Sequence, residues 1–471
     1  MTKVIATIGP ACDDSETLQA LLEAGMNVAR LNLSHGTHDE HRARLERIRA
    51  ASLATGVNVA LMFDTRGLEV RTGTLVDSAA VLAPGDTFHL YLDGRQGGVH
   101  GVSVSYERLA EEASLGDRIL IDDGKIELEV IAVRREEVET RIECGGTLRD
   151  HKSVNLPGKD LSLDRLSDRN RADLRFVADC DVDYLAASFI QSAADIEKIR
   201  GFLAECGAEI PIIAKIENGA GVENLAEIVA AANGTMVARG DLGVELPMAE
   251  VPTIQKRIIR ATVTSGKPVV TATQMLDSME RNPRPTRAEV SDVANAIFDG
   301  SSAVMLSGET AVGRYPVAAV ETMAALALEA EASLPEYGYL QNISPDPSDK
   351  VAEAVSQAAI AMSSHLKASA IICLTETGRT ARRISKYRPT CPILAVAASP
   401  KVVRRLAMNW GVLPVHYDRS EIDTEKVAFA IGEGLATGYL SPGDIVLATG
   451  STHGTSGTTD VSTDMIRVVT V

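Results

Sequence analysis

Two apolar runs decide the fold of this chain: Pro211-Ile212-Ile213-Ala214-Lys215-Ile216-Glu217 and Thr235-Met236-Val237-Ala238-Arg239-Gly240-Asp241. Each run is short enough for a buried strand, and each ends in charged residues. Apolar strands of a parallel sheet that end in Lys, Glu and Asp at the carboxyl edge are how an α/β barrel builds an active site. The ammonium of Lys215 would lie beside the carboxylates of Glu217 and Asp241. Such a group suits a bound Mg²⁺ ion and charge that develops on a phosphoryl group or an enolate.

Alternation of strands and helices extends this pattern over most of the chain. Helical spacing separates most of the apolar segments, as in Ser15 to Gly25, where the final glycine suits a helix C-cap. Eight β/α repeats favour a closed (β/α)8 TIM barrel over an open sheet, so the fold class is α/β. The predicted strands are Val4–Ile8, Val28–Leu33, Ala60–Phe63, Tyr184–Phe189, Ile212–Ile216, Thr235–Ala238, Val269–Thr273 and Ala303–Leu306.

Two further domains are predicted around the barrel. Period-two alternation in 117–121 and 125–130, separated by Asp122-Asp123-Gly124, indicates a β-hairpin in an inserted all-β lid domain. New βα units begin after Pro335 and predict a separate, C-terminal open α/β domain. The predicted boundaries are 1–66 and 162–334 for the catalytic barrel, 67–161 for the lid, and 335–471 for the C-terminal domain.

Composition excludes several classes of partner. The 471 residues carry 47 Lys plus Arg against 64 Asp plus Glu, and a net charge of −17 argues against nucleic acid as a partner. Six scattered cysteines without a C-x-x-C pair favour a reducing, cytoplasmic location. No apolar run reaches the length of a membrane span, so we expect no membrane association.

A second polar cluster is predicted at the ends of the second and third strands. Arg30, Asn32 and Ser34 lie on one face of the second strand by the period-two rule, and Asp64 and Thr65 end the third. The four oxygen-bearing residues Asn32, Ser34, Asp64 and Thr65 carry one formal negative charge. That set suits a weakly held cation such as K⁺ better than a transition metal.

Other polar motifs leave alternatives open. Thr273 and Ser307 end the seventh and eighth strands, where their hydroxyls orient substrate, relay a proton or cap helices. The histidines at 35, 38 and 41 fit a solvated helix start better than a metal site, because Thr37 to Glu40 resembles a capping box. Two loops, Thr375 to Thr380 and Gly450 to Thr459, offer hydroxyls and backbone N–H groups to a phosphate, although neither is a P-loop.

Several of these motifs together resemble the pyruvate kinase family, over essentially the whole chain. The resemblance implies transfer of the phosphoryl group of phosphoenolpyruvate to ADP, giving pyruvate and ATP in the last step of glycolysis, by a homotetramer with an allosteric C-terminal domain. The matching motifs are Thr7-Ile8-Gly9-Pro10, Arg30-Leu31-Asn32-Leu33-Ser34-His35-Gly36, Asp64-Thr65-Arg66-Gly67, Val154-Asn155-Leu156-Pro157-Gly158, Ile213-Ala214-Lys215-Ile216-Glu217-Asn218, Met236-Val237-Ala238-Arg239-Gly240-Asp241-Leu242-Gly243 and Ala272-Thr273-Gln274-Met275-Leu276.

The resemblance also implies roles for the residues of the barrel. Glu217 and Asp241 would ligate Mg²⁺ or Mn²⁺, and Lys215 would stabilise the phosphoryl group in transit and the enolate. The backbone amides of Gly240 and Asp241 and the hydroxyl of Thr273 would hold the substrate carboxylate. Catalytic roles are implied for Lys215, Arg30, Thr273 and Ser307, with Arg30 facing phosphate.

The remaining implied roles concern K⁺, the nucleotide and an effector. Asn32, Ser34, Asp64 and Thr65 resemble the K⁺ ligands of the family, and Glu69 resembles the acidic residue associated with K⁺ dependence. The implied nucleotide-binding residues are Asn32, His35, Arg71 and Lys152. The implied effector-binding residues, for a sugar phosphate or a nucleoside monophosphate, are Thr375, Thr377, Gly378, Arg379 and Thr380.

Departures from the family pattern leave the identity of the effector open, and rival functions remain because they use the same chemistry. Arg66 and Leu68 stand where many relatives have lysine and proline, and the C-terminal loop lacks the Trp-Arg-Pro-Gly run of relatives that bind fructose 1,6-bisphosphate. An enolate-forming barrel lyase or a phosphoenolpyruvate mutase uses the same charges as this site. An inactive metabolite sensor is a third possibility, against which intact Lys215, Glu217, Asp241 and Thr273 argue.

Overall fold

The computed structural model describes residues 1–67, 70–159, 166–338, 343, 349–420, 422–450 and 463–471. Glu69, Leu68, residues 161–162 at one predicted domain boundary, and 451–459 of the second predicted phosphate loop lie outside these ranges. No helix within the described ranges is long and apolar enough to cross a membrane.

The first three strands alternate with two capped helices. The Asp14 side chain accepts hydrogen bonds from the backbone N–H groups of Glu16 and Thr17 and starts the first helix. The predicted capping box of Thr37 and Glu40 is confirmed at the start of the second. The elements are β1 (Lys3–Thr7), α1 (Ser15–Glu23), β2 (Met26–Asn32), α2 (His38–Thr55) and β3 (Ala60–Asp64).

A β-rich segment follows β3. Its elements are β4 (Val70–Arg71), β5 (Ala79–Leu82), β6 (Thr87–Tyr91), β7 (Gly101–Ser103), α3 (Leu109–Glu112), β8 (Arg118–Ile121), β9 (Ile126–Arg134), β10 (Glu137–Cys144), β11 (Gly146–Arg149) and β12 (Ser153–Asn155). The predicted hairpin is confirmed, because β8 pairs antiparallel with β9 across a turn in which Asp122, Asp123 and Gly124 all have positive φ. Seven strands form one sheet in the order β4-β12-β8-β9-β10-β6-β7, and β11 pairs with β5.

The second part of the barrel supplies five more strands. Its elements are α4 (Asp168–Ala178), β13 (Tyr184–Ala187), α5 (Ala193–Glu205), β14 (Ile212–Ile216), α6 (Gly219–Glu223), α7 (Leu225–Ala231), β15 (Gly234–Ala238), α8 (Arg239–Glu245), α9 (Val251–Thr264), β16 (Val269–Ala272), α10 (Arg287–Phe298), β17 (Ala303–Leu306), α11 (Gly308–Ala311), α12 (Pro316–Ala332) and α13 (Leu334–Tyr337). Short 3-10 helices span Met248–Glu250 and Asp277–Glu280.

These eight strands close into the predicted parallel barrel, in the order β1-β17-β16-β15-β14-β13-β3-β2. Four predicted strands run too far, and Val4–Ile8 and Val28–Leu33 end one residue early, at Thr7 and Asn32. Tyr184–Phe189 ends at Ala187 and Val269–Thr273 ends at Ala272, because Phe189 and Thr273 have φ of 54° and 73° and turn the chain out of the sheet. Both turns lie at the carboxyl end of the barrel, where the predicted site residues gather.

An open sheet forms the C-terminal part of the chain, as predicted. Its elements are α14 (Lys350–Leu366), β18 (Ala370–Leu374), α15 (Arg379–Lys386), β19 (Ile393–Ala397), α16 (Pro400–Leu406), β20 (Val412–His416), α17 (Asp423–Ala436), β21 (Ile445–Gly450) and β22 (Met465–Thr470). The strand order is β20-β19-β18-β21-β22, with β22 antiparallel to β21. Ala407 and Met408, which follow α16, pack with the apolar interior of the barrel. Because Ala407 and Met408 occupy the amino end of the barrel, we expect the functional site at its carboxyl end.

Candidate active site

Lys215 is the centre of a buried cluster of charges. It lies in β14, and its Nζ is 2.8 Å from Glu217 Oε1, 3.1 Å from Asp64 Oδ1 and 2.8 Å from the hydroxyl oxygen of Ser188. Burial alone would lower the pKa of Lys215, but the carboxylates of Asp64 and Glu217 outweigh it and hold that pKa above its ordinary value. The ammonium is therefore charged at neutral pH.

The carboxylate of Glu217 contacts this ammonium, as that of Asp64 does. Glu217 is 1% exposed, and its Oε2 accepts a 2.5 Å hydrogen bond from the backbone N–H of Phe189. Burial raises the pKa of Glu217 to about 7, although Lys215 acts in the opposite direction. Asp241, in the first turn of α8, interacts electrostatically with both residues. The structure thus brings together the three charges with which the sequence analysis began.

Arg30 joins the cluster through Asp64. Its Nε is 2.7 Å from Asp64 Oδ2, and its Nη1 donates a 2.9 Å hydrogen bond to the Thr7 hydroxyl. Asp64 is fully buried, which alone would raise its pKa, but the charges of Arg30 and Lys215 outweigh burial and lower it. Two cationic side chains from different strands therefore converge on one ionised carboxylate.

The other predicted K⁺ ligands lie beside Asp64. Asn32 is in register with Asp64 across β2 and β3, and its Oδ1 accepts a 3.0 Å hydrogen bond from the backbone N–H of Ser34. The Thr65 hydroxyl accepts from the backbone N–H of Ser188 at 3.0 Å. Asn32 and Thr65 thus lie next to Asp64, whose carboxylate is already shared by Arg30 and Lys215.

Thr273 is held in a strained turn by Arg239. Thr273 has a φ of 73° and Gln274 a φ of 54°, and such backbones cost about 1–3 kcal/mol each for residues other than glycine. The Arg239 guanidinium donates to the Thr273 carbonyl at 2.7 Å, and its Nη1 lies 2.6 Å from the Asp292 carboxylate. A Cβ on Gly240 would lie 2.8 Å from Thr273 Cγ2, so only glycine allows this approach.

The Asp292→Asn substitution tests the positioning of this turn. The variant keeps the shape of the side chain but removes the charge that orients Arg239, and we expect kcat to fall about tenfold, as for the loss of one charge-assisted hydrogen bond. The melting temperature should change little. Steady-state kinetics and thermal unfolding check this, and an Asp292→Glu variant that recovers part of kcat would separate positioning from folding. Unchanged kcat in Asp292→Asn would contradict the role.

Ser307 is positioned by its neighbour Glu309. The backbone N–H of Ser307 donates to Glu309 Oε2 at 2.7 Å, and the N–H of Leu276 donates to Glu309 Oε1 at 3.0 Å. Burial raises the pKa of Glu309, which is 2% exposed. This carboxyl group connects the loops that follow β16 and β17.

The predicted nucleotide residues lie on two parts of the chain. His35 is exposed after β2, whereas Arg71 and Lys152 belong to the β-rich segment. Arg71 Nη1 donates to the carbonyl of His151 at 2.8 Å, and Lys152 Nζ is 2.8 Å from Asp122 Oδ1. A nucleotide held by His35, Arg71 and Lys152 would therefore contact both parts of the chain.

The other two histidines of the first cluster have protein partners. His38 Nε2 lies 2.6 Å from Asp173 Oδ1, and His41 Nε2 lies 2.8 Å from the His35 carbonyl oxygen. Within the described ranges, no group of three or more His, Cys, Asp or Glu side chains is arranged to hold a metal ion.

The predicted effector loop forms the turn before α15. The Thr375 hydroxyl accepts a 2.9 Å hydrogen bond from the N–H of Gly378, which has a φ of 80°. The Thr377 carbonyl accepts from Arg382 Nη2 at 3.2 Å. Arg379 is the first residue of α15, and the hydroxyl of Thr380 contacts that of Thr463.

Sequence reasoning missed three contributors to the site. Ser188 contacts Lys215 and donates to the Thr65 carbonyl at 2.9 Å, but it follows β13 as a small residue without a distinctive motif. Thr7 contacts Arg30, and Asp292 contacts Arg239. The two residues of each pair are distant in the sequence. Polarity at a strand end could have identified Thr7 and Ser188, whereas Asp292 lies on a helix and carried no signal.

Comparisons with known proteins agree with this geometry. A family model described as pyruvate kinase, barrel domain, matches residues 1–320, and one described as pyruvate kinase, alpha/beta domain, matches 353–469. The chain is 45% identical over 464 residues to a pyruvate kinase of Geobacillus stearothermophilus and 44% identical over 464 residues to one of Sporosarcina psychrophila, covering 98% of this chain and 79% of each relative. The fold and these matches define a phosphotransferase. The chain belongs to the pyruvate kinase family.

Proposed function

We propose that this chain transfers the phosphoryl group of phosphoenolpyruvate to ADP and releases pyruvate and ATP. The observation that carries the proposal is the Lys215 ammonium, which is held charged between Asp64 and Glu217 at the carboxyl end of the barrel. A buried, fixed positive charge stabilises negative charge in transit more than water does, because it needs no reorganisation during the reaction. Lys215 thereby stabilises both the phosphoryl group and the enolate left behind.

The site also fits a divalent cation. Asp241 interacts electrostatically with Lys215 and Glu217, and burial raises the pKa of Glu217, so the two carboxylates lie close together in a buried site. Mg²⁺ or Mn²⁺ is bound in such sites by one or two carboxylates, with water and substrate oxygens as its other ligands. Glu217 and Asp241 would hold the ion, which supplies charge neutralisation when bound.

The residues around Thr273 would orient the substrate. The backbone N–H groups of Gly240 and Asp241 begin α8 and suit a carboxylate, and the Thr273 hydroxyl is a further donor. Arg30 and Ser307 complete the site, with Arg30 directed at phosphate. Because Arg239 fixes the turn at Thr273, the hydroxyl is placed before substrate arrives.

A potassium site is proposed at Asn32, Ser34, Asp64 and Thr65. We expect that replacing K⁺ with tetramethylammonium at equal ionic strength abolishes most of the activity, because an organic cation of that size cannot take four oxygen ligands. A coupled assay at saturating Mg²⁺ measures this. Equal rates in both salts would remove the alkali cation from the proposal.

The nucleotide is proposed to bind between the barrel and the β-rich segment, which acts as a lid. Asn32 and His35 approach from the barrel, and Arg71 and Lys152 from the lid. Asn155 at the end of β12 donates a 2.9 Å hydrogen bond to Glu245 of α8, so the two parts already touch beside the site. Closure there would exclude water from the reaction.

Regulation and assembly are further parts of the proposal. A phosphorylated metabolite, either a sugar phosphate or a nucleoside monophosphate, would bind Thr375, Thr377, Gly378, Arg379 and Thr380 and act through a homotetramer. The proposal keeps the three predicted domains: the catalytic barrel, the lid and the C-terminal domain, with the boundaries given above. All six cysteines are unpaired, which supports a reducing cytoplasm. Sedimentation with and without candidate activators tests the assembly.

A lyase that forms a Schiff base at Lys215 is less compatible with the charges. A lysine that forms a Schiff base needs a lowered pKa, whereas Asp64 and Glu217 hold the pKa of Lys215 above its ordinary value. The deciding experiment measures ATP and pyruvate formed from phosphoenolpyruvate and ADP, with and without Mg²⁺ and K⁺. Equal amounts of both products that depend on both cations would support the proposal. No turnover by folded protein with candidate activators present would overturn it.

A further inference from the structure

A cavity of about 400 Å³ lies between the amino end of the barrel and the C-terminal sheet. Its walls come from both parts of the chain. Phe298 and Glu331 contribute from the barrel helices, and Tyr387, Arg388 and Trp410 from the C-terminal part. The cavity has the size of ordinary small-molecule sites and is far from Lys215, at the opposite end of the barrel.

Arg388 enters this cavity without an acidic partner. Its Nη2 donates to the Gly300 carbonyl, and its guanidinium carbon lies 4.6 Å from the centre of the Trp410 ring. Across the described residues no carboxylate lies within 4.0 Å of the guanidinium, and Nη1 makes no protein hydrogen bond. Nε and the indole Nε1 of Trp410 are also unpaired within those residues. Unpaired buried donors are costly, so such a group points to a missing acceptor.

Positive charge is in excess around the cavity. Within the described ranges the buried Lys3 ammonium donates only to the Val412 carbonyl, at 2.7 Å, and Glu331 is the carboxylate that acts on both Lys3 and Arg388. Lys3 and Arg388 thus share one carboxylate, that of Glu331, in a chain whose net charge is −17. Burial lowers the pKa of Arg388 to about 9 and that of Lys3 to about 8. Both pKa shifts reflect the free-energy cost of burying a positive charge without a counterion in contact with it.

We propose that this interdomain cavity binds a small organic anion: a carboxylate on an apolar ring, without an ammonium group of its own. The carboxylate pairs with Arg388 through the free Nη1 edge, and the ring packs on Trp410 and Phe298. The positive charges of Arg388 and Lys3 disfavour a zwitterion. Because the walls belong to both the barrel and the C-terminal sheet, the bound anion stabilises one arrangement of the two.

The chain offers a direct readout of this site, since Trp410 is its single tryptophan. Phenylacetate titrated into the full-length protein should change tryptophan fluorescence saturably. The neutral isostere phenylacetamide should bind about tenfold more weakly or worse, as expected for the loss of one charge-assisted pair. Inorganic sulfate, which has charge but no ring, should also bind more weakly.

Variants of Arg388 complete the test. Arg388→Gln should weaken phenylacetate binding about tenfold or more, and Arg388→Lys should weaken it less. Arg257→Gln, at an exposed arginine of α9, is the matched control and should leave the affinity unchanged. Equal affinity for phenylacetate and phenylacetamide in the unmodified protein would overturn the proposal without reference to any variant. So would unchanged affinity in folded Arg388→Gln. None of these measurements uses catalysis, so they are independent of the proposed function.

Discussion

Replacing Lys215 with methionine should lower kcat by about a thousandfold or more, which corresponds to roughly 4 kcal/mol of transition-state stabilisation. Methionine keeps the length and apolar stem of lysine but removes the ammonium that lies 2.8 Å from Glu217 and 3.1 Å from Asp64. The charge is needed most when the phosphoryl group is in transit, so KM for phosphoenolpyruvate should change much less than kcat. Steady-state kinetics at saturating Mg²⁺ and K⁺ measure both parameters.

The Lys215→Met variant should still fold. Asp64 retains Arg30 as its partner, and Glu217, whose pKa burial has already raised, can take up a proton when the ammonium is absent. Lys198→Met, at an exposed lysine of α5, is the matched control and should keep normal kcat. If Lys215→Met were folded and retained near-normal turnover, Lys215 would not have the proposed role.

Most of the barrel was predictable because its signals are local. Ile212–Ile216 is apolar, short and ends in charge, and its predicted bounds agree with the structure. Period two along the chain then placed Lys215 and Glu217 on one side, and parallel neighbours placed Asp241 next to them. These inferences require only that strands end at a common edge.

The parts that were not predictable depend on contacts between distant segments or on strained backbone. Thr273 was expected inside a strand, but its positive φ is maintained by the Arg239 guanidinium, which Asp292 holds from α10. β-Branched residues rarely adopt this conformation, so no propensity argument would place one there. The sequence likewise gave no indication that Arg388 would meet Trp410 in an interdomain cavity, because the two lie on different loops of the C-terminal part.

Replacing Glu217 with glutamine should weaken Mg²⁺ binding and lower kcat/KM by about a hundredfold or more. The amide keeps an oxygen that accepts from the Phe189 N–H, but it removes the negative charge that a hard divalent cation requires. Lys215 also loses one of its two carboxylate neighbours, although Asp64 keeps the ammonium in place. Direct Mn²⁺ binding, followed by electron paramagnetic resonance, measures the affinity without depending on turnover.

Glu223→Gln is the matched control for this substitution, because Glu223 is an exposed carboxylate on α6, the short helix that follows β14. It should bind Mn²⁺ normally and keep full activity.

The Glu217→Gln variant separates two explanations of the buried charges. If Glu217 served only to hold Lys215, Mn²⁺ affinity would be unchanged while kcat fell. A joint loss of Mn²⁺ affinity and kcat/KM is the result expected when the carboxylate that orients the ammonium also holds the cation.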